Sequence, residues 1–301
     1  MSRPYNGRIA LIAPASAIAD EVLEATLAQL DVLGLDYHLG EHVQARYRYL
    51  AGTVEQRLSD LHHAFSLPNV SAVWALRGGY GCAQLLPGID WAQLKNASPR
   101  PLVGYSDLSI LLEAFYAHGL PAIHGPVATA LGQNLLAAPS GQRERLATIE
   151  GLWPVLNGAA GALPLEYVSG PAHALTGTLQ GGNLTALASA CGTLGQLKLA
   201  PDSLLILEDV SEPYYRLERS LCQLFASFAG SKPQALCLGD FTDCPQRGVI
   251  HSLERIVEDY TQEHGIALYR GLPSGHDALN LAWPYGARAR LENSRLSWPT
   301  A

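Results

Sequence analysis

A chain of 301 residues, 48% of them apolar, can bury roughly three quarters of its unfolded surface, which calls for one large or two medium domains. The net charge of -7, from 27 acidic and 20 basic residues with no long run of either sign, argues against a nucleic-acid groove or an anionic membrane partner. Five cysteines (Cys82, Cys191, Cys222, Cys237 and Cys244) without a C-x-x-C pair read as free thiols in a reducing cytoplasm, and with no H-E-x-x-H they leave no recognisable zinc site.

At the N-terminus, Arg3 and Arg8 precede an apolar stretch, and Ala15-Ser16-Ala17 imitates a signal-peptidase site. The run from Ile9 to Ala13 is broken by Pro14, too short for a secretory h-region, and reads as a first core strand. No stretch approaches the length of a transmembrane helix. Up to about Pro126, short apolar runs alternate with amphipathic segments: "IALIA", a helix through Leu23, Leu27 and Leu30, a second helix closing on "HHAF", then "VSAVWAL", and "PLVGYS" with its own helix. This alternation predicts an α/β fold with a parallel sheet covered on both faces and reactive groups beyond the carboxyl ends of its strands. Residues 137–171, rich in Ala, Gly and Pro, read as a connection with one short helix between an N-terminal unit (1–136) and a C-terminal unit (172–301). The second unit holds "HALTGTLQGGNLTALASACG", "SLLILEDV", a helix on Leu217, Leu221, Leu224, Phe225 and Phe228, "QALCLGDF", a helix near 250–264, and a closing pair "ARARLEN" and "RLSW". Its shorter strands, less regularly followed by helices, predict a β-rich α+β or barrel-like domain.

Four stretches put polar residues or glycines at the end of an apolar strand. In "WALRGGYG" (Trp74 to Gly81) no Walker pattern is present and Gly79-x-Gly81 lacks a third glycine, so an anion-cradling backbone and a plain tight turn both remain open. In "PLVGYSDLSILLEAF" a strand ends at Val103, and Leu108, Leu111, Leu112 and Phe115 follow at helical spacing. Ser106 in that turn is either a helix cap or a nucleophile held up by a strand-to-helix elbow, with the Asp107 amide as the first free N–H of the helix. Glu208 and Asp209 end "LLILEDV", and His276 sits in the Gly-rich "GLPSGHDALN". Ser, acid, His is one of the known triad orders. Leu108 in place of the second Gly of G-x-S-x-G, and the lack of an HGGG segment, disfavour an ordinary α/β-hydrolase.

Six motifs, "RGGYG", "GYSD", "HGP" (His124 to Pro126), "GGNL" (Gly181 to Leu184), "LEDVSEPYYRLER" and "GHDALNLAWPYGA", resemble in order and spacing those of the LD-carboxypeptidase and microcin-immunity serine peptidase family, over nearly the whole chain. The resemblance implies a flavodoxin-like N-terminal domain supplying Ser106, a smaller β-rich C-terminal domain supplying Glu208 and His276, and an oxyanion hole from the amides of Gly79 and Asp107. It also implies a cytoplasmic homodimer that needs no cofactor and releases terminal D-Ala from the tetrapeptide of recycled murein. Trp283-Pro284-Tyr285-Gly286 departs from the usual LPxG, which bears on local cleft shape. Arg77, Tyr80 and Asn183 are the candidate substrate ligands, although Arg77 could instead pair with an internal acid and Asn183 could cap a helix. His124 either shapes a buried turn or touches substrate. Two other functions fit the same motifs: a microcin-type immunity peptidase acting on an aminoacyl-nucleotide amide, and a non-catalytic muropeptide-binding module.

Overall fold

In the computed structural model, which describes residues 4–97, 99–137, 140–171, 174–246, 248 and 250–301, the apolar runs of the first half become five parallel strands. These are β1 (Arg8–Ile12), β2 (Asp36–Leu39), β3 (Val70–Ala75), β4 (Leu102–Gly104) and β5 (Ala122–His124), in the flavodoxin-like order β2-β1-β3-β4-β5. Strand alternation divides the core: Ile9 and Leu11 face one way, onto α1 (Asp20–Val32), and Ala10 and Ile12 face the other, onto α2 (Val54–Ser66). α3 (Trp91–Asn96) and α4 (Ser109–Ala117) join α2, whereas α5 (Thr129–Leu136) and α6 (Gln142–Leu156) join α1. α2 starts where Thr53 and Gln56 form a reciprocal capping box. Ser109 to Phe115 of α4 are buried without a break, as a helix enclosed on all sides requires.

The second sheet is built from β6 (Gly161–Pro164), β7 (Glu166–Ser169), β8 (Leu175–Asn183), β9 (Ser203–Val210), β10 (Ala235–Thr242) and β11 (Ala267–Arg270). After β12 (Trp283–Tyr285), β13 (Arg288–Glu292) and β14 (Arg295–Trp298) complete it, in the order β6-β14-β13-β8-β9-β10-β11-β7. Its four central strands are parallel and its flanks antiparallel. β6 and β7 occupy opposite edges, yet only Leu165 separates them, so the sheet curls until its edges approach one another, as a barrel-like shape requires. A cluster including Leu207, Leu236 and Leu268 packs α7 (Leu184–Ser189), α8 (Tyr214–Ser227) and α9 (Leu253–His264) against this sheet.

Residues 137–171 hold more structure than a connection with one short helix. α6 runs for 15 residues, and β6 and β7 follow it into the second sheet. The small residues that imitate a linker serve close packing, since a Cβ on Gly161 would lie 2.4 Å from the Trp298 ring. Residues 138–139 and residue 172, where the second unit was expected to begin, lie outside the described residues. β12 returns from the C-terminal region to pair antiparallel with β5, Trp283 opposite His124, and so joins the first sheet.

Gly181 of β8 leaves no room for a side chain against β9: its φ is 128° and a Cβ would lie 1.8 Å from the Ile206 carbonyl oxygen. Gly181→Ala is expected to cost about 3 kcal/mol or more and to lower Tm by roughly 6–12 °C in a circular-dichroism melt. An unchanged Tm would contradict this packing.

Candidate active site

The loops beyond β1, β3 and β4 meet where the strand order reverses between β1 and β3. Ser106 follows β4 in the left-handed region, φ 65°, before a single 3₁₀ turn leads into α4. A non-glycine residue there carries backbone strain, and the neighbouring Gly78 leaves it room: a Cβ on Gly78 would come within 3.0 Å of Ser106 Cβ. Ser106 begins the 3₁₀ turn, whose N-cap position is Tyr105, so the serine is not the cap. The Asp107 carboxylate turns back and accepts from the Cys82 amide at 2.8 Å, tying the Gly-rich loop to the elbow. Burial pushes the Asp107 carboxyl up, opposed by that bond and by the Arg57 charge. Among the described residues, neither the Gly79 nor the Asp107 amide donates to an acceptor within the chain.

Glu208 and Asp209 are not solvated strand-end acids; both are buried at the end of β9. Glu208 Oε2 lies 2.7 Å from His276 Nδ1. Burial pushes the Glu208 carboxyl up, the adjacent imidazole pulls it back, and the Asp209 charge adds to the rise. Asp209 points to the other side, accepting from the Thr185 amide and hydroxyl and from Asn183 Nδ2. The His276 loop is held by β10 and α6 and by a bond of its own: Asp240 N donates to Ser274 O at 2.9 Å, Asn280 N to Thr148 Oγ1 of α6 at 2.8 Å, and Gly275 N to Asn280 Oδ1 within the loop at 3.2 Å. The His276 ring packs against Tyr105, centroids 4.8 Å apart, beside the elbow. Among the described residues Ser106 Oγ forms no hydrogen bond, which leaves the hydroxyl free beside the Gly-rich loop.

The other predicted residues divide. Asn183 is buried and caps α7, accepting from Ala186 N at 2.9 Å while its Nδ2 reaches Asp209. Arg77 is exposed and donates to the Ala17 carbonyl at 2.7 Å, not to an internal acid. Tyr80 is exposed next to Gly79, its amide donating to Ser16 Oγ at 3.1 Å. His124 is fully buried, stacks on Trp283 at 4.7 Å, and is pushed down to about 3 by burial and by His276, which keeps it neutral. Two residues escape the motifs altogether. Arg57 is buried on the apolar stripe of α2 and bridges Pro14 O, Gly81 O and Gln84 Oε1; a charge within a core-facing stripe was its one visible signal. Glu113 of α4 accepts from Tyr285 OH at 2.8 Å, Lys198 N at 3.0 Å and Gln180 Nε2 at 3.3 Å, joining the helix that follows Ser106 to both sheets.

The family description of the LD-carboxypeptidase N-terminal domain matches residues 9–125, and that of the C-terminal domain residues 176–291. The chain belongs to the LD-carboxypeptidase family. It is 61% identical to a murein tetrapeptide carboxypeptidase of Pseudomonas aeruginosa over 98% of this chain and 96% of the relative. A crystal structure of muramoyltetrapeptide carboxypeptidase from Oxalobacter formigenes superposes with a TM-score of 0.84 at 28% identity, covering 97% of this chain and 100% of that one. The microcin C7 self-immunity protein MccF shares the fold, with a TM-score of 0.86 at 18% identity over 100% of this chain and 97% of that one.

Burial pushes the Glu113 carboxyl up to about 7, against the pull of its three donors. A carboxyl whose folded pKa lies above its unfolded value of about 4.5 contributes stability that is complete below that value and is lost as pH rises towards 7. Glu113→Gln should therefore flatten the pH dependence of stability between about pH 4.5 and 7, by at most about 3 kcal/mol. Denaturant titrations of both proteins across that range check it; parallel pH profiles would contradict it.

Proposed function

We propose that this enzyme is a serine LD-carboxypeptidase that removes the terminal D-Ala of murein tetrapeptides through Ser106, His276 and Glu208, in the service of peptidoglycan recycling. The observation that carries the reading is the 2.7 Å contact between His276 Nδ1 and the fully buried Glu208 Oε2, beside a serine held in an elbow with φ 65°. With Nδ1–H donating to Glu208, Nε2 is the nitrogen left to accept the Ser106 proton as Oγ adds to the scissile carbonyl. The developing oxyanion is stabilised by the Gly79 and Asp107 amides, the latter at the positive start of the helical segment. Collapse breaks the C–N bond, and His276 returns the proton to the departing D-Ala amine. Water then hydrolyses the acyl-enzyme by the same proton path.

The 61% identical relative supports the tetrapeptide as substrate. Trp153 weighs against an aminoacyl-nucleotide, because it is 7% exposed and packs edge-on against Trp74, leaving no face free for a nucleobase. With the scissile carbonyl fixed, inverting the terminal alanine exchanges its methyl and carboxylate, and a buried carboxylate without its partner costs several kcal/mol.

Digestion of three peptides by the wild-type and Ser106→Ala proteins, followed by mass spectrometry, tests both parts of this reading. Wild type should release D-Ala from L-Ala-γ-D-Glu-diaminopimelate-D-Ala, spare the same peptide ending in L-Ala, and leave a D-Ala-D-Ala pentapeptide untrimmed. Ser106→Ala should lose roughly 10⁴- to 10⁶-fold in kcat with its fold intact. Equal cleavage of both tetrapeptides, or wild-type turnover by Ser106→Ala, would overturn the reading.

A further inference from the structure

The turn Tyr47-Arg48-Tyr49 lies outside every motif in the sequence, yet it is fastened to the Gly-rich loop of the candidate site. Ser16 forms an isolated bridge with Leu50, its amide donates to Gly78 O at 3.2 Å, and its hydroxyl accepts from the Tyr80 amide. Ala17 N donates to Tyr49 O at 2.9 Å and Ala51 N to Ala15 O at 3.0 Å. A Cβ on Gly79 would lie 2.4 Å from Ser16 Oγ, and one on Gly81 2.8 Å from Leu50 Cδ2, so the turn sits hard against residues 79–81.

This turn presents aromatic rings and a cation to solvent. Tyr47, Tyr49 and Tyr80 are 47%, 56% and 48% exposed, and the rings of Tyr49 and Tyr80 meet edge-on at 5.7 Å. Arg48 holds φ at 56°, a strained value for a non-glycine residue, and its guanidinium lies 4.7 Å from the Tyr47 ring and 5.7 Å from the Tyr49 ring. Its neighbours spend their charge on the protein: Arg46 on Asp20, Arg57 on Pro14, Gly81 and Gln84, Arg77 on Ala17. Among the described residues Arg48 has neither a hydrogen-bond acceptor nor a carboxylate. Beside it opens a cleft of about 330 Å³ that Gln84 also lines, and Gln84 Nε2 lies 3.5 Å from Tyr80 OH. Glu55 and Arg57 line the same cleft, Arg57 being bound to Pro14, Gly81 and Gln84, so Arg48 is the cation there with its fork free for direct pairing among the described residues.

We propose that Arg48, framed by Tyr47, Tyr49 and Tyr80, is a specificity subsite that binds the α-carboxylate of the γ-linked glutamate, with the rings packed along the acyl chain. This rests on the tetrapeptide reading above. With the scissile carbonyl at the Gly79 amide, that carboxylate hangs roughly two residues upstream, about 7 Å of extended chain. Tyr80 stands next to Gly79, and Arg48 is reached across the Tyr49 ring that meets Tyr80. The guanidinium offers a planar fork that matches a carboxylate, pre-positioned by its aromatic neighbours.

The test is calorimetric binding to the Ser106→Ala protein, so that no turnover intervenes. The probes are the tetrapeptide L-Ala-γ-D-Glu-diaminopimelate-D-Ala and its analogue with the glutamate α-carboxylate amidated. Amidation should weaken binding about tenfold, the scale of one lost charge-assisted hydrogen bond. In Ser106→Ala/Arg48→Gln both peptides should bind equally, at the weaker affinity, with an unchanged Tm. Ser106→Ala/Tyr80→Leu should weaken both peptides while keeping the discrimination between them. If wild type cleaves the tetrapeptide but amidation is felt equally with and without Arg48, or not at all, the subsite alone is overturned. If wild type leaves the tetrapeptide uncut and Ser106→Ala binds neither peptide, the substrate reading falls and takes the subsite with it.

Discussion

Glu208 is a carboxylate with no exposure to water, and the architecture around it is organised by that constraint. Removing such a group from solvent costs several kcal/mol unless a close partner compensates, and the imidazole of His276 is that partner. The second oxygen, Oε1, finds no hydrogen bond among the described residues, so His276 supplies most of the compensation, with a smaller contribution from the Asn183 side chain. Close approach is possible because glycines flank the acid: a Cβ on Gly239 or on Gly275 would lie 3.2 Å from Glu208 Cβ. The β8–β9 register puts Asn183 opposite Glu208, so the residue that starts α7 is set by the same strand pair that carries the acid.

A serine on one sheet and an acid–histidine pair on the other can cooperate only if the sheets cannot slide. Three ties prevent it. β12 lies in the first sheet although it follows the His276 loop by a few residues. Thr148 of α6 donates to Ala278 O and accepts from Asn280 N, holding that loop against the N-terminal layer. Glu113, between the sheets, ties α4 to β8 and β12 through Gln180 and Tyr285. The elbow is therefore braced from behind, which preserves a geometry that catalysis by positioning needs to within fractions of an ångström.

What the sequence disclosed follows the range over which its signals act. β1, β3 and β4 were legible because strands buried on both faces read as unbroken apolar runs, and Ser106 because a strand, a turn and a helical stripe follow one another within fifteen residues. Glu208 and His276 were legible only jointly, as an order matching a family. β12 was hidden, since "WPY" is three residues long, contains a proline, and takes its meaning from His124, far away in the chain. The length of α6 and the strands β6 and β7 are not legible in residues 137–171, whose pattern shows one short helix, because small residues there meet bulky partners more than a hundred positions distant, as Gly161 meets Trp298. The Asp107 carboxylate and Thr148 act on the backbone of remote loops, and no local pattern encodes that.

The seam at Leu165 bears on how the chain assembles. β6 has no partner until β14 exists, and β7 has none until β11 exists, so residues 161–169 must wait for a stretch of polypeptide about a hundred residues further on. β12 imposes the same delay on the first sheet. Pairings of such long sequence separation incur loop-closure entropy before they return any contact energy, which makes assembly slow. On the ribosome neither half therefore completes its sheet before the C-terminal strands have emerged.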